Sequence, residues 1–104
     1  MTNRGVDMAV LHIEHSISDL DVWLSAFAEF ADRRRAAGVR HERVCRPIDD
    51  PHYVVVDLDF DQTEQAEAFL CFLHAAVWST PANSPALVGP PTGRVLGVEH
   101  DTST

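Results

Sequence analysis

The sequence predicts an α+β domain with the element order β-α-β-β-α-β, and three observations predict it. Ala9 to His15 and Tyr53 to Phe60 alternate in polarity, the two-residue period of a half-buried strand. Leu20 to Ala31 and Ala66 to Val77 repeat apolar residues at three- and four-residue spacing, as a helix with one buried stripe does. Prolines, glycines and aspartates punctuate the segments between them.

A chain of 104 residues is one domain, with its ordered core expected over about 8–100. That length buries a core without disulfides or metals. Residues 1–7 and the tail are polar, and fraying is expected there.

The first strand, expected over 9–15, puts Ala9, Leu11 and Ile13 on one face and Val10, His12 and Glu14 on the other. Ser18 and Asp19 then offer N-caps, and Asp21 places a carboxylate in the first turn. The helix they start, expected over 19–37, carries Leu20, Trp23, Leu24, Phe27, Phe30 and Ala31 on its stripe. Gly38 suits the position just past its end. Arg33, Arg34 and Arg35 fall in the last turn, where solvated cations complement the helix dipole.

Residues 39–46 form a strand so charged that it belongs at a sheet edge. Pro47 to Pro51 is a turn. The third strand, 53–60, separates Val54, Val56, Leu58 and Phe60 from Tyr53, Val55, Asp57 and Asp59. Asp61 and Glu64 resemble a capping box opening a helix over 62–78, with Ala66, Phe69, Leu70, Leu73 and Val77 on its stripe. Pro81, Pro85, Pro90 and Pro91 make 79–93 a loop, and 94–100 the last strand.

Short connections and right-handed crossovers turn this order into the ferredoxin-like split unit. Its antiparallel sheet holds the first and third strands in the middle and both helices on one face. The other face must meet water or a second subunit. Val10, Tyr53 and Val55 among His12, Glu14 and Asp57 suit a self-complementary homodimer interface, expected to bury more than about 1,000 Å².

A net charge of −8 argues against nucleic acid and anionic membrane, since both call for a basic surface. The longest strictly apolar run, Ala68 to Leu73, is far short of a membrane span. No signal-peptide pattern opens the chain, and Cys45 and Cys71 are expected as buried, reduced thiols. A cytoplasmic location follows as an expectation.

His12, Asp19-Leu20-Asp21, Trp23, Phe27, Arg35 and Gly38 together resemble the opening of a large bacterial group of small dimeric α/β-barrel proteins. Arg43-Val44-Cys45-Arg46, Asp49-Asp50-Pro51-His52, Val54-Val55-Val56 and Gly89-Pro90-Pro91 fit the same group. The resemblance covers roughly residues 9–99. The superfamily includes antibiotic-biosynthesis-type monooxygenases and haem-degrading enzymes. It implies a dimeric barrel and, for activity, a cofactor-independent oxygenase. The haem-degrading relatives carry an asparagine on the first strand and a tryptophan followed by a histidine near the second helix. Here His12 stands on the strand, and His74 precedes Trp78. No haem or other cofactor is therefore expected.

Two constellations could carry chemistry. His12, Glu14, Asp57 and Asp59 should share the uncovered sheet face, joined by His41 and Arg43. They form either a proton-transfer cavity within the dimer or an ion-pair network that fixes two sheets together. The set lacks the spacing of a metal site, and none is expected. His74 lies in an apolar helix beside Trp78, and Trp23 and Phe27 could face it across the core. That makes either an aromatic pocket with one titratable group or a plain core. The candidate catalytic residues are thus His74 and His12, with Trp23, Phe27 and Trp78 as candidate substrate-binding residues. The functions compared are a monooxygenase-like enzyme for a small aromatic substrate and a non-catalytic ligand-binding or structural dimer.

Overall fold

The computed structural model describes residues 8–103. The fraying expected over 1–7 lies outside the described residues. The elements are β1 (Ala9–Ile17), α1 (Leu20–Glu29), α2 (Ala31–Ala37), β2 (Val39–Cys45), β3 (Tyr53–Phe60), α3 (Thr63–Phe72) and β4 (Leu87–Gly97). One antiparallel sheet has the order β2-β3-β1-β4, the ferredoxin-like topology. In β1 and β3 the alternation of sequence becomes an alternation of burial. Leu11, Ile13, Val56, Leu58 and Phe60 join Ala66 and Phe69 of α3 in the core. Leu24, expected there, is 39% exposed, because Trp23 and Phe27 are the residues that α1 turns inward.

The single helix expected over 19–37 is two helices, broken at Phe30. Asp19 caps the first, its carboxylate accepting from the Val22 amide at 2.9 Å. The break has a side-chain cause: Nη1 of Arg34 donates to the Phe27 carbonyl at 2.6 Å. The Phe30 amide bonds that same carbonyl at 3.2 Å, three residues back rather than four. A side chain inserted into the helical ladder kinks it. Gly38 ends α2 at φ 106°, and a Cβ there would lie 2.6 Å from Nε2 of Gln65.

The cap of α3 is Gln62, not Asp61. The Gln62 amide donates to Oε1 of Gln65 at 3.1 Å, while Asp61 takes a hydrogen bond from Arg40 at 2.5 Å. Leu73–Val77 continues α3 as a π turn, closed by the Trp78 amide on the Leu73 carbonyl at 2.7 Å. The carbonyl of Ala76 accepts from the side chain of Asn83 at 2.7 Å, which anchors the following turn.

β4 begins at Leu87, seven residues before the expected start. Prolines are barred from a central strand, but β4 is an edge, where Pro90 and Pro91 are tolerated. The β1–β4 register shifts between Glu14 and Ser16, so Gly89-Pro90-Pro91 bulges opposite His15. Gly89 has φ 72° there. Both cysteines are free and exposed rather than buried: Cys45 pairs with Val55 on the uncovered sheet face, and Cys71 points outward from α3. Among the described residues no helix is long and apolar enough to cross a membrane.

Candidate functional site

β1 presents a different histidine on each side of the sheet. His12 faces away from the helices. Its Nδ1 lies 2.6 Å from Asp57 and its Nε2 lies 2.7 Å from Glu14. A carboxylate at each nitrogen favours the imidazolium, so the pKa of His12 is raised, by the Glu14 bond first and the Asp57 bond next. Tyr53 completes the set by donating to the other Glu14 oxygen at 2.7 Å. The pKa of Glu14 is lowered by the bond to His12 and then by that to Tyr53. The cross-strand register makes this network: His12 stands opposite Asp57 in β3, and Arg43 opposite the same aspartate from β2. In the imidazolium that these carboxylates favour, both nitrogens donate and His12 has no lone pair to act as a base. Among the described residues no group of three or more His, Cys, Asp or Glu side chains is arranged to hold a metal ion.

His15 faces the helices and is 4% exposed. Its Nδ1 donates to the Ser16 carbonyl at 3.1 Å, since a carbonyl can only accept. That bond fixes the neutral tautomer with the lone pair on Nε2. Burial lowers the pKa of His15, and the Ser16 bond offsets part of the effect. His15 therefore stays a neutral base at pH 7.

An aromatic wall runs from His15 along α1. The His15 and Trp23 rings are 5.8 Å apart, and Trp23 stacks on Phe27 at 5.0 Å and 19°. The guanidinium carbon of Arg34 lies 3.6 Å from the Phe27 ring centre. Arg34 is buried, and Glu42 of β2 holds it through Nε at 2.7 Å and Nη2 at 3.1 Å. This wall, together with Phe30, Leu73 and Trp78, lines an apolar pocket between helices and sheet. Its volume is about 80 Å³. An apolar cavity that takes benzene measures roughly 150 Å³. Trp23, Phe30 and Trp78 of its lining are half-buried.

The structure thus brings Trp23, Phe27 and Trp78 to one pocket. His74 is not among its lining residues; it is exposed on the π turn, edge-on to Trp78 at 4.8 Å. His12 lies on the far face of the sheet. The sequence reading missed the pocket's own polar residues, His15 and Arg34, although periodicity marked both. His15 continues the inward series Ala9, Leu11, Ile13 by two. Arg34 continues Trp23, Phe27 and Phe30 at helical spacing, and only Arg33 and Arg35 of the run are exposed.

No protein-family model matches the sequence, and no curated protein matches it at a significant level. Solved structures do match. A candidate antibiotic biosynthesis monooxygenase from Nitrosomonas europaea superposes with a TM-score of 0.66 at 16% identity, covering 99% of this chain and 100% of its own. SnoaB, a cofactor-independent oxygenase from Streptomyces nogalater, superposes in the form of a point mutant at 0.69 and 15% identity, over 91% of this chain and 96% of its own. A dimeric ferredoxin-like protein from an uncultured marine organism reaches 0.70 at 10% identity, over 98% and 96%. The fold is that of the antibiotic biosynthesis monooxygenase-like proteins. At these identities the likeness is one of fold.

Proposed function

We propose that this chain is a homodimeric α/β-barrel protein that binds a small hydroxyaromatic molecule in the pocket between its helices and sheet and oxidises it with dioxygen, without a cofactor. The observation that carries this reading is His15: one neutral, tautomer-fixed histidine in the wall of an otherwise apolar, aromatic pocket. Its Nε2 takes the hydroxyl proton of the ligand. The electron-rich anion left behind reduces dioxygen. One oxygen atom enters the ring as a carbonyl, and the other leaves as water with the displaced hydrogens. Trp23, Phe27 and Trp78 hold the ring. His15 replaces His74 as the proposed base, because His74 is outside the pocket, and His12 belongs to the dimer face. The oxygenase and dimer readings draw support from SnoaB and from the dimeric ferredoxin-like protein, named as such.

The small cavity favours a second reading, a dimer that binds a ligand or only assembles, without catalysis. Titration with phenol and hydroquinone, followed by tryptophan fluorescence and oxygen uptake, separates the two. The oxygenase reading expects saturable quenching and an oxygen uptake that His15→Gln abolishes. Quenching with no uptake favours the non-catalytic dimer, and uptake that survives His15→Gln removes His15 from the mechanism.

A further inference from the structure

The pocket wall has a polar group at each end. His15 stands at one end with an acceptor, Nε2, that no donor among the described residues occupies. Arg34 stands at the other. A guanidinium has five N–H groups. Two bond Glu42 and one bonds the Phe27 carbonyl, which leaves two without a protein acceptor among the described residues. The steps between the ends run His15 to Trp23 to Phe27 to Arg34, one turn of α1 separating the two aromatics. With two aromatic rings between them along the wall, the two groups suit a ligand that carries a polar function at each end of a ring.

We propose that Arg34 is a second ligand-binding residue, and that the pocket takes a planar aromatic with a hydroxyl at one end and an anionic or carbonyl oxygen at the other. This rests on the reading of the pocket as an aromatic site. The hydroxyl donates to Nε2 of His15, and the far oxygen accepts from the free N–H groups of Arg34. Charge supports the assignment. Arg34 and Glu42 together are neutral, so a ligand carboxylate must compete with Glu42 for the guanidinium. Glu42 is 39% exposed at its side chain and can turn towards water, whereas Arg34 at 5% cannot. The arginine is thus the fixed partner and the glutamate the adjustable one. Charge-assisted bonds of this kind are the stronger class.

The test uses the whole protein and three probes: 4-hydroxybenzoate, phenol and benzoate, each titrated by tryptophan fluorescence. The expected result is that 4-hydroxybenzoate binds about tenfold or more tightly than either one-ended probe, as one added charge-assisted bond implies. Arg34→Lys should remove the preference for 4-hydroxybenzoate over phenol. Glu42→Gln should move affinity the other way and tighten 4-hydroxybenzoate alone, since it leaves the guanidinium uncompensated. This second variant keeps the test decisive if Arg34→Lys does not fold. Equal binding of phenol and 4-hydroxybenzoate, or no tightening in Glu42→Gln, overturns the role of Arg34 and leaves the aromatic pocket standing. Failure of all three probes to bind overturns both.

Discussion

Arg34 and Glu42 join the helical layer to the edge strand through two hydrogen bonds, 2.7 Å from Nε and 3.1 Å from Nη2. The arginine is buried and the glutamate is not, so the two partners are unequal. Glu42→Ala leaves a buried guanidinium without its carboxylate. Water can reach the vacated place, which softens the penalty. The expected loss is about 2 kcal/mol, within the range for hydrogen bonds to charged groups. Urea unfolding should show a lower midpoint with an unchanged slope. A loss under about 0.5 kcal/mol, the usual limit for a surface change, would mean the pair is only a surface contact.

The two histidines of β1 should give opposite pH dependences. The pKa of His12 is raised on folding, so its stabilisation is complete below the ordinary histidine value of about 6.5 and fades as pH rises through the raised value. The pKa of His15 is lowered, so its contribution is complete above about 6.5 and fades as pH falls through the lowered value. Urea midpoints from about pH 5 to 8.5, a range that brackets the ordinary histidine value, should therefore show His12→Asn most damaging at the acid end. His15→Asn should be most damaging at the alkaline end. Parallel curves for the two variants would contradict the assigned environments.

Asp57→Lys puts a cation beside the His12 imidazolium on the uncovered sheet face. If that face meets a second copy, the change leaves repelling charges in a desolvated site. Sedimentation at micromolar concentration should give twice the chain mass for the wild type and a shift towards monomer for the variant. A wild type that sediments as a monomer would sink the homodimer.

Gly38→Ala tests the joint between α2 and β2. The backbone there sits at φ 106°, and the new methyl would meet the Gln65 side chain that closes the cap of α3. Strain of this kind costs about 1–3 kcal/mol. Thermal unfolding should show a clear drop, and Gln65→Ala should recover only the steric part.

Much of the fold was legible because alternation in β1 and β3 fixes both register and inward face. The same rule, carried two residues further, marks His15 as inward. What concealed it was its residue type: a histidine closing an apolar series reads as the strand's polar end, yet β1 continues to Ile17, because His52 and Ala86 supply backbone partners to Ile17 and Ser18 that no local pattern announces. Arg34 was concealed by its neighbours. Three consecutive arginines read as one solvated charge, yet a helix turns about 100° per residue, so they cannot share an environment. The early start of β4 was hidden by its prolines, which say where a strand cannot be central but not that it is absent. The break at Phe30 needs Arg34 to find the Phe27 carbonyl, a tertiary event.

Pro90 and Pro91 have a bearing on what this protein avoids. A sheet grows when a foreign strand finds alternating donors and acceptors along its border, and that growth is the route to fibrous aggregation. At the β4 border two successive residues have no N–H to offer, and the bulge they share with Gly89 interrupts the ladder. The β2 border carries Arg40, His41, Glu42 and Arg43 in unbroken succession, a run that any like strand would meet with its own charges. Lateral addition is thus discouraged at both ends of the sheet.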